Sequence, residues 1–348
     1  MHVRNSTGKF AAKHSKFVDL NMEKITKAPL YSRMNGIIYP SMFSPACFRE
    51  ALNYKAQPND IFIVTYPKSG TTWMQHILLY ILRKGKELKI DKTGDLDLSE
   101  FIKYCPFIDM YGFEGIQKMK KPGCIKTHLP YNHLSLSPEA KYIFFARNPK
   151  DCCVSFYHHA RNHPGFKYWD GNFNDFFELF MDGELEYNDY FDHLLSWYPH
   201  RNDSNVFYTT FEEMKKDIRS VVVSVSQFLD QECTEAIEKD NSVLNNIILF
   251  SSYEYMQKHY SRPSLSGMKV SNSETYSGVK YVAEFITSLN LPSRVLAKSN
   301  VRKGVVGDWK NTLNCGQSQR LTEKFFEKTR NTDIKNWCRF LQIPMPFP

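Results

Sequence analysis

Residues 65–73 read Thr-Tyr-Pro-Lys-Ser-Gly-Thr-Thr-Trp and follow directly on the apolar run Ile61-Phe62-Ile63-Val64. A lysine, a glycine and clustered hydroxyls at the end of a strand-like run are suited to holding an anion. Gly70 lets the backbone come close, N–H groups around Gly70, Thr71 and Thr72 point at the anion, and Lys68 adds a full positive charge. With Ser69 and the apolar run after Trp73, this reads as a strand–loop–helix phosphate cradle, a P-loop-like element. The usual nucleoside-triphosphate pattern Gly-x-x-x-x-Gly-Lys-Ser/Thr is absent, and Lys68 precedes the glycine, which argues against an ordinary ATPase or kinase.

Three further groups have chemistry-bearing residues. Lys126 and His128 lie two apart, and an imidazole with an unperturbed pKa of about 6.5 is suited to general-base work near neutral pH. Taken alone, a histidine after a short strand is more often structural. Arg147 and Ser155 stand eight apart, an arginine fork and a hydroxyl able to clamp a terminal phosphate, although a lone arginine fits a surface salt bridge equally well. Arg302-Lys303-Gly304 is a second cationic loop.

The elements that must position these groups alternate between strand and helix. Short apolar runs at 61–65, 123–126, 142–146 and 206–209 predict strands of a parallel sheet buried on both faces. Helices are expected at 72–82, 150–161, 173–181, 186–197, 212–229 and 322–329. Pro149 falls in a first helical turn, where its missing N–H costs nothing. The alternation predicts a single α/β domain over 31–348, with a central parallel sheet flanked by helices and its ligand at the strand carboxyl ends. Lys68, Lys126 and Arg147 would then meet on one rim. Residues 1–30 read as a flexible tail. Residues 259–300 read as a long loop, with a short helix at 282–289, suited to a lid over the acceptor.

The net charge is +8, which favours anionic ligands. The basic residues fall mainly inside the phosphate-binding segments rather than in clusters interleaved with aromatics, so no nucleic-acid partner is expected. Cys-x-x-Cys is absent and several of the eight cysteines lie in apolar surroundings, as reduced buried thiols do. With no apolar run of about 18 residues and no hydrophobic signal core, a cytoplasmic protein without a membrane partner is expected.

Tyr66-Pro67-Lys68-Ser69-Gly70-Thr71-Thr72-Trp73 resembles the 5′-phosphosulfate loop of the cytosolic sulfotransferases, which use 3′-phosphoadenosine 5′-phosphosulfate (PAPS). Lys126-Thr127-His128-Leu129-Pro130 is similar to that family's catalytic-histidine segment. Arg147-Asn148-Pro149-Lys150-Asp151 with Ser155 resembles its 3′-phosphate site, and Arg302-Lys303-Gly304 with Gly307-Asp308-Trp309-Lys310 its C-terminal phosphate loop. The resemblance spans more than two thirds of the chain in the expected order.

It implies sulfuryl transfer from PAPS to a hydroxyl or amine of a small, largely apolar phenol, alcohol or amine, leaving 3′,5′-adenosine bisphosphate (PAP). In-line transfer of this kind depends on positioning and charge stabilisation, and cationic side chains supply the charge without a metal. His128 would be the base, with Lys68 and Lys126 assisting. Trp73, Ser252 and Tyr253 would contact the adenine, and Phe107, Phe156 and His159 would shape the acceptor site. Phe211 stands where the family pattern has a tyrosine, so a hydrogen bond is missing unless Tyr208 supplies it. The segment after Lys310 departs from the family's dimer motif, which implies a monomer or weak homodimer. Rival expectations are a dehydratase acting through a transient sulfate ester and a non-catalytic binder of adenine nucleotides. A kinase lacks an evident metal-binding carboxylate, and a Golgi glycan sulfotransferase would need an anchor.

Overall fold

The computed structural model describes residues 27–90, 94, 96–260, 276–291 and 301–334. Four strands, β3 (Ile61–Val64), β4 (Ile125–Thr127), β5 (Lys141–Ala146) and β6 (Val206–Thr210), form a sheet in the order β4-β3-β5-β6. All three pairings are parallel, with Val64 opposite Thr127 on one side and Phe144 on the other. The remaining strands, β1 (Tyr31–Met34) and β2 (Ile37–Pro40), pair as a separate antiparallel hairpin.

Helices cover both faces of the sheet, so alternate residues of each strand enter different cores. Phe62, Val64, Tyr142 and Phe144 pack with Phe48 and Trp197, whereas Ile63, Ile143 and Phe145 pack with Ile77, Met214 and Val222. Each such side chain contributes roughly 1.5–3 kcal/mol by leaving water, which explains why these strands read as unbroken apolar runs. The chain leaves β3 toward β4 on one side, then crosses to β5 on the other. That reversal opens a crevice at the carboxyl ends of β3 and β5, where ligands of open α/β sheets bind.

The expected helices form, with corrected ends. The helix expected at 186–197 is Tyr190–Trp197, because Tyr187 and Asn188 adopt left-handed φ values of 64° and 65° and Asp189 caps the first turn through Phe191 and Asp192 N–H groups. The segment at 212–229 is two helices, Phe211–Lys216 and Ile218–Leu229, broken at Asp217, whose side chain caps the second. The last expected helix starts earlier, as Cys315–Thr329, with Asn314 and Gln317 forming its capping box. Within the expected tail, residues 27–30 belong to the body: Leu30 N–H donates to Phe166 O at 2.9 Å and Lys27 pairs with Asp170. Residues 1–26 lie outside the described residues. So do 261–275 and 292–300 of the expected lid; between them the helix is Ser277–Ser288, longer than expected. Among the described residues no helix is long and apolar enough to cross a membrane.

Candidate active site

A cavity of about 350 Å³ opens at the carboxyl ends of the parallel strands. Lys68, Gly70, Thr71, Thr72, Trp73, Phe107, Lys126, His128, Arg147, Ser155, His159, Tyr253, Arg302, Lys303 and Gly304 all line it. Three expected site residues do not. Ser69 is fully buried, and its hydroxyl has no hydrogen-bond partner among the described residues. Phe156 is fully buried beneath the cavity, edge-on to Tyr66 and Phe176. Ser252 caps the helix Tyr253–His259 by accepting from Tyr255 N–H at 3.1 Å. These three support the wall rather than form it.

The loop after β3 is held by a left-handed Lys68 (φ 69°) and by Gly70 (φ 113°). A Cβ on Gly70 would stand 2.8 Å from Phe211 Cδ2, so position 70 admits only glycine without displacement of that ring. Helix Thr71–Leu82 starts here; Trp73 N–H donates to Gly70 O at 2.9 Å, while the N–H groups of Thr71 and Thr72 precede the first intrahelical acceptor and remain available to a ligand. Arg147, just past β5, donates from Nη1 to Lys68 O at 3.0 Å and from Nη2 to Val305 O at 3.3 Å. Its guanidinium lies 4.3 Å from the centre of the Phe211 ring. Phe211 therefore stacks on Arg147, and Tyr208 does not stand in for a tyrosine there: it packs against Phe144 and Tyr198.

The C-terminal cationic loop is fixed by a residue whose role no local pattern reveals. Asp151, in helix Pro149–Asn162, accepts from Gly307 N–H (2.7 Å) and Trp309 N–H (3.0 Å). Arg302 and Lys303 both pair with Asp308, at 2.6 and 2.7 Å, and this holds the Asp308 carboxyl well below its ordinary range despite partial burial. Tyr253 OH donates to Arg302 O, and Gly304 (φ 63°) passes so close to Tyr253 that a Cβ would lie 2.9 Å from its ring. Nε of Arg147 and Nε of Arg302 are buried without a hydrogen-bond partner among the described residues. Unspent donors on two cations beside an aromatic pair, Trp73 and Tyr253, fit a phosphorylated purine nucleotide.

His128 follows β4 and is 7% exposed. Its Nδ1 donates to Thr65 O at 2.7 Å; because a carbonyl only accepts, the proton sits on Nδ1 and Nε2 keeps its lone pair. Thr65 Oγ1 lies 3.2 Å from the same nitrogen and 2.6 Å from Thr71 Oγ1, joining the histidine to the phosphate loop. Behind the ring, Asp109 accepts from Thr127 Oγ1 (2.7 Å), His128 N–H (3.0 Å) and Tyr187 OH (2.7 Å). Phe107 and Tyr187 meet the imidazole edge to face. Burial, then the Lys126 charge, pushes His128 well below the ordinary imidazole value, so it is neutral at neutral pH. Burial likewise brings Lys68 down to about 8, helped by Lys126, and Lys126 down to about 8.

Beyond His128 the cavity is lined by residues that sequence reasoning missed: Met42, Phe43, Met110, Tyr111, His163, Phe166, Glu186, Tyr187 and Val282. They come from five separate segments.

The sequence matches the Sulfotransferase domain family over residues 58–333. The chain belongs to the sulfotransferase family. It is 31% identical to rat sulfotransferase 1C2, over 82% of this chain and 88% of that one. It is 30% identical to rabbit amine sulfotransferase, over 81% and 85% of the two chains. Among solved structures, mouse sulfotransferase SULT7A1 complexed with PAP aligns with a TM-score of 0.64 at 28% identity, covering 90% of this chain and all of that one. This sulfotransferase is accordingly an enzyme of a nucleotide-dependent transferase class, and its cavity sits where the fold puts its ligands.

Proposed function

We propose that the protein transfers a sulfuryl group from PAPS to the hydroxyl or amine of a small, largely apolar acceptor. The observation that carries this reading is the arrangement around His128, an imidazole with its proton held on Nδ1 by Thr65 O and its Nε2 without a hydrogen-bond partner among the described residues, in the same cavity as Lys68, Lys126, Arg147 and Arg302. The relative solved with PAP supports the choice of nucleotide. Lys68 and the amides of Gly70, Thr71 and Thr72 would hold the 5′-phosphosulfate, Arg147, Ser155, Arg302, Lys303 and Gly304 the 3′-phosphate, and Trp73 and Tyr253 the adenine. Bound there, PAPS supplies the sulfuryl group.

The chain's own residues do the rest. His128 Nε2 takes the proton of the acceptor hydroxyl, and Thr65 O and the Asp109 hydrogen bonds hold the ring in that tautomer and place. Lys68 and Lys126 present positive charge where negative charge gathers, in a site dry enough to make it effective. Phe107, Phe43 and Phe166 exclude water from the acceptor side. Incubation with PAPS and a panel of phenols, alcohols and amines, read by mass spectrometry, tests the proposal. Sulfated products dependent on His128 are expected; PAP binding with no sulfated product from any class would leave a nucleotide-binding protein instead.

A further inference from the structure

The proposed transfer uses the lysines, His128 and the arginines, and gives no task to Glu186. This side chain lines the cavity, is 5% exposed, and among the described residues its carboxyl oxygens make no hydrogen bond or ion pair. It is also held firmly. Tyr187 N–H donates to Ile38 O at 2.7 Å, Ile38 N–H donates to Asn188 Oδ1 at 2.8 Å, and Tyr66 OH donates to Asn188 O at 3.0 Å. The β1–β2 hairpin thus clamps two left-handed residues immediately after Glu186. The clamp holds the backbone that carries Glu186, and its carboxyl, open to the cavity and without a protein partner among the described residues, is available to a group that arrives with the ligand.

We propose that Glu186 is a specificity-determining residue that selects acceptors bearing a protonated amine in addition to the hydroxyl that is sulfated. The inference rests on the sulfotransfer reading above. A neutral donor would satisfy one oxygen, whereas an ammonium supplies charge-assisted hydrogen bonds to the ionised carboxylate, which are roughly twice as strong. The surrounding walls tolerate a cation: Lys126 Nζ lies 3.7 Å from the centre of the Phe107 ring, and the aromatic residues Phe43, Phe166 and Tyr187 line the same cavity, a setting in which a cation is attracted to ring faces. His163, pushed down to about 4 by burial, adds no opposing charge. Lys68 and Lys126 do repel a second cation, and the anionic nucleotide at the other end of the cavity offsets them. Burial raises the Glu186 carboxyl to about 8 against the pull of Lys126 and Lys68. An arriving ammonium therefore drives a proton off it at neutral pH.

The test compares tyramine with 4-ethylphenol, which share the ring and the reacting hydroxyl and differ in the amine. The parent enzyme should favour tyramine, and Glu186→Gln should lower the tyramine to 4-ethylphenol ratio of kcat/KM by tenfold or more. Calorimetry of tyramine against the PAP complex, in buffers of different ionisation enthalpy, should show proton release in the parent and none in the variant. An equal fall for both acceptors would make Glu186 a counter-charge for the lysines and overturn the selection. A second measurement needs no variant: phenethylamine should inhibit 4-ethylphenol sulfation by the parent more strongly than ethylbenzene does, and equal inhibition overturns the proposal. Sulfation of 4-ethylphenol but not tyramine would sink the amine selection and leave the transfer standing. Absence of PAP binding and of any sulfated phenol would instead remove the transfer reading itself.

Discussion

The two ends of the cavity are built on different plans. At the nucleotide end, contiguous segments at strand termini bring backbone and cations together: 65–73 after β3, Arg147 after β5, and 302–304 tied back through Asp151. At the acceptor end, single side chains arrive from the hairpin, the segment around Phe107, the turn at Glu186 and the helix Ser277–Ser288. Gly278 shows how tightly they meet, since a Cβ there would lie 2.0 Å from Met110 O. A phosphate is recognised by amides and fixed charges, which a short motif can carry. An apolar acceptor is recognised by shape, which depends on many distant residues.

The sharpest way to break this comparison is His128→Ala. The side chain stands at the junction, linked to the phosphate loop through Thr65 by Nδ1, which leaves Nε2 as its basic nitrogen. Turnover should fall by about 100- to 10,000-fold, as for loss of a general base, with PAP affinity, measured calorimetrically, close to that of the parent. A matching fall in PAP affinity would merge the two ends. Arg147→Ala should do the reverse. Losing charge-assisted hydrogen bonds of roughly 1.5–3 kcal/mol should weaken PAP binding and erase much of the preference for PAP over AMP. A parent that binds both nucleotides equally would remove Arg147 from 3′-phosphate recognition.

Gly70→Ala tests whether the loop is as rigid as its contacts imply. The left-handed φ and the 2.8 Å approach to Phe211 should cost about 1–3 kcal/mol, read as a lower unfolding midpoint together with weaker PAP binding. Changing the pH should produce a smaller effect. Lys68 and Lys126 are lowered to about 8 in the free protein, and a bound anion favours their charged forms. Binding then takes up protons above that pH. PAP affinity should be level up to about pH 7 and fall by about tenfold per pH unit per coupled lysine above 8; an affinity flat to pH 9.5 would contradict this. The smallest effect should come from Ser252→Ala, which removes a helix cap worth about 1 kcal/mol. It should lower thermal stability and change PAP affinity far less than Arg147→Ala does, as expected of a residue that supports the wall without touching the ligand.

The sequence by itself determined the parallel sheet, the positions of its strands but not their exact ends, and the cations that meet at the cavity. Each depends on a run of neighbours: apolar residues long enough to bury both faces, then glycine, lysine or arginine at the turn. It also placed Lys126 and His128 together, because two residues past a strand is a local relation. Tertiary structure alone decided that Ser69, Phe156 and Ser252 turn away from the cavity, since local sequence places a backbone more closely than it directs a side chain. It decided that Phe211 serves as a stacking face for Arg147, and that Asp151 and Asp109 hold the loop and the histidine from behind. It moved the start of a helix from 186 to Tyr190, where two left-handed residues locked by a distant hairpin outweighed helical patterning. Glu186 was hidden for the same reason: its burial, its lack of a partner among the described residues and its facing lysines arise only when segments far apart in the chain are packed against one another.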